Sequence, residues 1–143
     1  NDGAAAVVMM SAEKAQEMGI QPRLRWHTRG VAGVEPAIMG IGPVPAVRKA
    51  LFKSGMSLEN IDLIELNEAF ASQAINCMRE LEMDPSKTNV NGSGISLGHP
   101  VGATGAIMTV KLIEELETRD VEFGLVTMCV GGGQGVATIF QRV

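Results

Sequence analysis

The link Gly131-Gly132-Gly133-Gln134-Gly135, set between the apolar runs Phe123 to Cys129 and Val136 to Phe140, restricts the fold more than any other feature. Both runs have the length and residue types of strands, and a link this short cannot carry the crossover that parallel neighbours need. The two runs are therefore predicted to form an antiparallel pair. Upstream, strand-length and helix-length segments alternate, so the hairpin should join a larger sheet that helices cover. The pattern predicts an α/β layered domain.

Along the chain, the apolar run Ala4 to Met10 reads as a strand, and Ser11 through Gly19 has the cap-to-stop pattern of a short helix. Arg23 to Val34 reads as a second strand. Pro36 to Pro45 is punctuated by Gly40, Gly42 and Pro43, and predicts a structured loop that enters a helix at Pro45 and ends at Gly55. Ile61 to Leu66 reads as a buried strand. Glu68 to about Leu81 then reads as a helix with Ala71, Ala74, Ile75, Met78 and Leu81 on its apolar face, stopped by Asp84-Pro85. Asn67 thus falls at a strand-to-helix junction. In the helix predicted from Pro100 to Glu117, the half from Val101 to Val110 carries no charge and should be buried all round.

Composition narrows the function classes. A chain of 143 residues with 45% hydrophobic and 20% charged content suits one folded domain, and neither disorder nor a membrane span is indicated. The net charge of -4, with twelve basic residues scattered among sixteen acidic ones, lacks the clustered basic face of a nucleic-acid binder. Cys77 and Cys129 lie far apart with no secretory signal ahead of them, which suggests a reducing, cytoplasmic setting. Asn1-Asp2-Gly3 runs straight into an apolar stretch, as in a chain cut inside a larger protein.

Three places could carry chemistry: Asn67-Glu68, Gly98-His99-Pro100 and Cys129-Val130-Gly131. Each falls at a strand end, a loop or a helix start, where α/β folds keep reactive groups. His99 follows a glycine-rich run and precedes Pro100, at a predicted helix N-terminus that disfavours imidazolium and suits a neutral base. A histidine satisfied by local hydrogen bonds fits the same pattern. Cys129 ends an apolar strand before glycines whose N-H groups can approach a ligand and stabilise an oxyanion. A buried inert cysteine fits there too, and Cys77, on a helix face, is the better candidate for packing alone. The histidines and cysteines show none of the short ligand pairs of structural zinc sites, so no metal is assigned. Gly92-x-Gly94-x-x-x-Gly98 is one residue too long for the dinucleotide fingerprint.

Taken together, Asn67-Glu68-Ala69-Phe70, Asn91-Gly92-x-Gly94-x-x-x-Gly98-His99-Pro100-x-Gly102-Ala103 and Cys129-x-Gly131-Gly132-Gly133-x-Gly135 resemble the motifs of the thiolase family, in their usual order. The resemblance covers nearly the whole chain and only the C-terminal half of the family's chain. It implies one half of the thiolase fold, with a mixed five-stranded sheet and helices on both faces, occupying residues 1-143. It also implies roles. His99 resembles the base that activates a nucleophilic thiol, and with an Asn67-held water it resembles a first oxyanion site. Cys129 resembles the acid/base at the substrate α-carbon, and the Gly131 N-H part of a second oxyanion site. Met39, Ala69 and Phe70 resemble residues beside the acyl and pantetheine parts of the substrate. The nucleophilic cysteine belongs to the family's N-terminal half and has no counterpart here.

The activity so implied is acyl transfer between CoA thioesters, with coenzyme A as substrate and no separate cofactor. Expected partners are acyl-CoA, the N-terminal half and, at full length, further copies in a dimer or tetramer. Alone, the chain should be inactive, and the uncharged half of the long helix should make it self-associate or need its N-terminal half. Gly92-Ser93-Gly94-Ile95-Ser96, where many biosynthetic-type thiolases have Gly-Gly-Ala, leaves acyl chain length undecided. The rival from another class is a thiolase-fold carrier of acyl or lipid ligands without chemistry. A ketoacyl-synthase-like enzyme would pair two histidines where this chain offers His99 and Cys129.

Overall fold

The computed structural model describes residues 1–143. The chain runs through α1 (Ala12–Glu17), β1 (Leu24–Gly33), a 3-10 segment (Pro36–Ile41), α2 (Pro43–Ser54), a 3-10 turn (Leu58–Asn60) and β2 (Leu63–Leu66). It continues through α3 (Ala71–Leu81), α4 (Gly94–Leu97), α5 (Thr104–Arg119), β3 (Phe123–Val130) and β4 (Gln134–Arg142). The glycine link closes the antiparallel β3-β4 hairpin that its length requires, with Val130 opposite Gln134. Gly132 and Gly133 turn it with φ of 85° and 84°, a left-handed conformation that side chains resist. β4 pairs antiparallel with β1, and β2 pairs parallel with β3, giving a mixed sheet in the order β1-β4-β3-β2.

The sheet has four strands where five were expected. Ala4 to Met10 joins no ladder and lies exposed, with Val8 at 86% exposure, because the chain does not bring it beside either open edge of the sheet. On the β2 side a further strand begins and stops within one rung. Ile64 and Thr88 form an isolated parallel bridge, and the next residue, Asn89, turns the chain away with φ of 51°.

Helices cover both faces, as expected. On one face α2 and α3 supply Val44, Val47, Ala50, Ala74 and Cys77, which pack on Ile64, Leu66, Leu125, Ala137 and Ile139. On the other, α5 lays Met108, Leu112 and Leu116 on Leu63 and Val126. The alternation Leu63, Ile64, Glu65, Leu66 therefore sends successive side chains to opposite cores, and all of β2 is buried. Gly124 admits Leu112 closely, since a Cβ there would lie 2.6 Å from both Leu112 methyls.

Helix boundaries differ in instructive ways. Ser11 caps α1 by accepting the Lys14 N-H at 3.2 Å, and α2 ends at Gly55, both as predicted, but α2 opens at Pro43 rather than Pro45. α3 starts at Ala71 because Phe70 is extended, and it ends at Glu82 before Asp84-Pro85 is reached. Of its expected apolar face Ala74, Met78 and Leu81 pack on the core with Cys77, while Ala71 and Ile75, the latter 47% exposed, face outward, and Gln73 is buried where it meets Gly40. The uncharged half of the long helix is buried on one stripe alone. Val101 is 78% exposed, since the sheet covers only the side carrying Thr104, Met108 and Leu112. No helix is long and apolar enough to cross a membrane.

Leu112→Ala should cost about 2–5 kcal/mol in denaturant unfolding, because it opens a cavity against Gly124. Val110→Ala, on the outer side of α5, should stay within about 0.5 kcal/mol of the parent.

Candidate active site

Parallel pairing puts the C-terminal ends of β2 and β3 on one edge of the sheet. Leu66 stands opposite Thr127, and the first residue beyond β2, Asn67, donates its backbone N-H to the Thr127 carbonyl at 3.0 Å. Cys129 lies two residues further along β3 and Gly131 just past its end. By alternation Cys129 faces the same side as Leu125 and Thr127, at 7% exposure. Burial pushes its thiol above the usual range, against a smaller opposing backbone hydrogen bond, so it is held as a protonated thiol at neutral pH. The Gly131 N-H makes no hydrogen bond within the chain, and no atom stands within 4 Å of where a side chain would be.

Asn67 is fully buried, yet neither its Oδ1 nor its Nδ2 has a partner in the chain. Such a group costs about 1–3 kcal/mol when unpaired and keeps one acceptor and two donor hydrogens for a ligand. Gly94 seals it in. A Cβ at Gly94 would lie 2.7 Å from the Glu68 carbonyl oxygen and 3.1 Å from Asn67 Oδ1, so only glycine lets this loop close over the amide.

From Gly94 the chain passes through the single-turn α4 to His99. The Thr104 hydroxyl donates to the Pro100 carbonyl at 3.0 Å and stands 2.6 Å from His99 Nδ1. With its one hydrogen used there, the hydroxyl accepts from Nδ1-H, which leaves the Nε2 lone pair free to take a proton. The His99 backbone N-H donates to Asn1 Oδ1 at 3.0 Å. Regular helix starts only at Thr104, a turn later than predicted, because residues 101–103 form a tighter turn first. A hydroxyl thus orients the ring. Sequence reading missed Thr104, whose one signal was a lone buried hydroxyl five residues after the histidine in an apolar stretch.

Met39 is half-buried on the 3-10 segment, Ala69 is half-buried beyond β2, and Phe70 is 70% exposed ahead of α3. Gly40, next to Met39, packs on Gln73 in the first turn of α3. Cys77 reinforces that contact by donating to the Gly40 carbonyl at 3.4 Å while accepting from Gln73 Nε2 at 3.4 Å, the packing role assigned to it from its helix position. Asn67, His99 and Cys129 make no hydrogen bonds to one another. Asn67 and Cys129 share the sheet edge, and His99 lies at the end of the loop that closes over Asn67.

The family model for the thiolase C-terminal domain matches residues 20–142. The chain is 54% identical over its full length to a beta-ketothiolase BktB of Cupriavidus necator, covering 36% of that protein. It is 52% identical to a 3-ketoacyl-CoA thiolase of Bacillus subtilis, over 99% of this chain and 36% of that one. The crystal structure of the Bacillus anthracis acetyl-CoA acetyltransferase superposes with a TM-score of 0.92 at 55% identity, over 94% of this chain and 34% of that one. Human mitochondrial 3-ketoacyl-CoA thiolase in complex with CoA superposes with a TM-score of 0.91 at 45% identity, over 92% of this chain and 34% of that one. The chain therefore spans about a third of the length of the relatives it matches, and it belongs to the thiolase C-terminal domain family.

Proposed function

We propose that this chain supplies the C-terminal half of a thiolase active site and acts with an N-terminal half that carries the nucleophilic cysteine. The reaction is acyl transfer, 3-ketoacyl-CoA plus CoA giving acyl-CoA plus acetyl-CoA, or the reverse Claisen condensation. CoA is a substrate, there is no resident cofactor, and the complete protein works as a dimer or tetramer in the cytoplasm. The observation that carries the reading is the sheet edge that bears both the unpaired Asn67 amide and the buried Cys129 thiol, with a loop that closes over Asn67 and ends at His99.

In the cleavage direction the N-terminal thiolate attacks C3 of the 3-ketoacyl-CoA. The C2–C3 bond then breaks, leaving its electron pair on C2 as the enolate of acetyl-CoA. A carbanion next to a thioester is strongly basic, so it needs donors at its oxygen and a proton source at its carbon. Cys129 gives its proton to C2, which its raised thiol suits, and acetyl-CoA departs. CoA then attacks the acyl-cysteine thioester, and the nucleophilic cysteine leaves as thiolate. His99 Nε2 takes the proton of the nucleophilic thiol, the Cys129 thiolate takes the proton of the incoming CoA thiol and is restored as a thiol, while Asn67, His99 and the Gly131 N-H stabilise the oxyanions. Met39, Ala69 and Phe70 line the acyl and pantetheine path.

Mixed with the N-terminal half of its own protein, the chain should give CoA-dependent cleavage of acetoacetyl-CoA. His99→Ala and Cys129→Ala should each lower turnover by about 10² to 10⁴. A well-assembled complex without turnover on short or long 3-ketoacyl-CoA would instead favour the carrier reading. The acid role also has a pH signature. A raised thiol stays protonated through neutral pH and is lost only as pH rises, so turnover in the cleavage direction should fall on the alkaline side, above the ordinary thiol range of about 8.5. A fall already present at neutral pH, traced to Cys129 by alkylation rates, would contradict it.

A further inference from the structure

Glu68 faces none of the reacting groups, yet its carboxylate ties together both ends of the loop that covers Asn67. That loop leaves the sheet at Asn89, whose side chain takes the place of a strand's backbone. Asn89 Oδ1 accepts the Leu66 N-H at 2.8 Å, and its Nδ2 donates to the Leu66 carbonyl at 2.9 Å. The loop returns at Ile95, in α4. Glu68 Oε1 accepts from Asn89 Nδ2 at 3.0 Å, and Oε2 accepts from the Ile95 N-H at 3.3 Å. One charged group thus closes the loop at both ends. Between them, Ser93 Oγ donates to the Leu66 carbonyl at 2.9 Å, and Gly94 rests on Asn67.

We infer that Glu68 is a positioning residue: by clamping Asn89 and Ile95 it holds Gly94 against Asn67, and it sets the place of both the Asn67 amide and His99, four residues after Ile95 on the same segment. The inference rests on the roles proposed above for Asn67 and His99. Hydrogen bonds to a carboxylate are about twice as strong as neutral ones, and a displacement of about 1 Å at a catalytic group can cost on the order of 10²-fold in rate. Loss of the clamp therefore shows in turnover more than in substrate binding. Lys111 steadies the same loop independently, donating to the Gly92 carbonyl while paired with Glu65 at 2.7 Å, so the loop keeps a second anchor without Glu68.

The test uses the complete enzyme, with Glu68→Ala, Glu68→Gln and Asn67→Ala compared with the parent. Glu68→Ala should lower kcat by about tenfold or more, with KM moving less than about twofold, and should speed hydrogen exchange at the Ile95 amide by about tenfold. Glu68→Gln keeps one acceptor for the Ile95 N-H, and should recover part of both the protection and the kcat. It also serves as the deciding variant if Glu68→Ala fails to fold. Unchanged exchange at Ile95 overturns the clamp. Faster exchange with kcat intact in both Glu68 variants, while Asn67→Ala abolishes turnover, overturns the positioning role and leaves the proposed function standing. If Asn67→Ala itself leaves turnover intact, the reading of Asn67 falls, and the role of Glu68 falls with it.

Discussion

The parallel pairing of β2 with β3 is the contact on which the candidate site depends. It aligns Leu66 with Thr127, so that both strands leave the sheet at the same edge and Asn67, Cys129 and Gly131 arrive there together. An antiparallel arrangement would send these strand ends to opposite edges. Parallel neighbours need a long crossover, and here the connection contains α3, α4, α5 and the loop that carries Gly94 and His99. The same constraint that builds the sheet therefore supplies the segment that closes over its edge.

Buried polar groups around that edge divide into two kinds. Glu65 and Lys111 form an ion pair between β2 and α5 at 2.7 Å, and burial still pushes the Glu65 carboxyl upward against the hydrogen bond and attraction from Lys111. Desolvation outweighs attraction, so the pair specifies how β2, α5 and the Gly92 loop sit together more than it stabilises them. Asn67 is the other kind. Its neighbours Asn89, Ser93 and Glu68 all satisfy their own polar atoms within the chain, while its amide is left with none. A carrier that only enclosed an acyl chain would have no use for an unpaired amide beside a protonated thiol and an oriented imidazole, which favours chemistry over storage at this edge.

Exposed apolar surface lies along Ala4 to Met10 and at Val101, as well as at Phe70, Ile95 and Leu97 around the site. In the sequence the first two read as a strand and as the start of a helix buried all round, and hydropathy alone supports both readings. Whether an apolar run becomes a strand depends on the chain laying it beside an open strand edge, and whether a helix is covered on every side depends on what packs against it. Neither condition is a property of the run itself.

Much of the architecture was legible in the residues. The glycine link dictated an antiparallel hairpin because five residues cannot span a crossover, and the stretch Ile61 to Leu66, apolar at four of six positions, was readable as a buried strand, whose Glu65 meets Lys111. The motifs around Asn67, His99 and Cys129 carried the family. Sequence alone could not supply the strand count, since Thr88 starts a fifth strand and the left-handed Asn89 ends it. Nor could it show that Thr104 orients His99, that Cys77 ties α3 to Gly40, or that Glu68 joins Asn89 to Ile95. Periodicity and turn chemistry act over a few residues and are written locally. Hydrogen bonds between residues distant in sequence, or set by one rotamer, exist only once packing has chosen their distances, and at this sheet edge they decide what each motif residue can do.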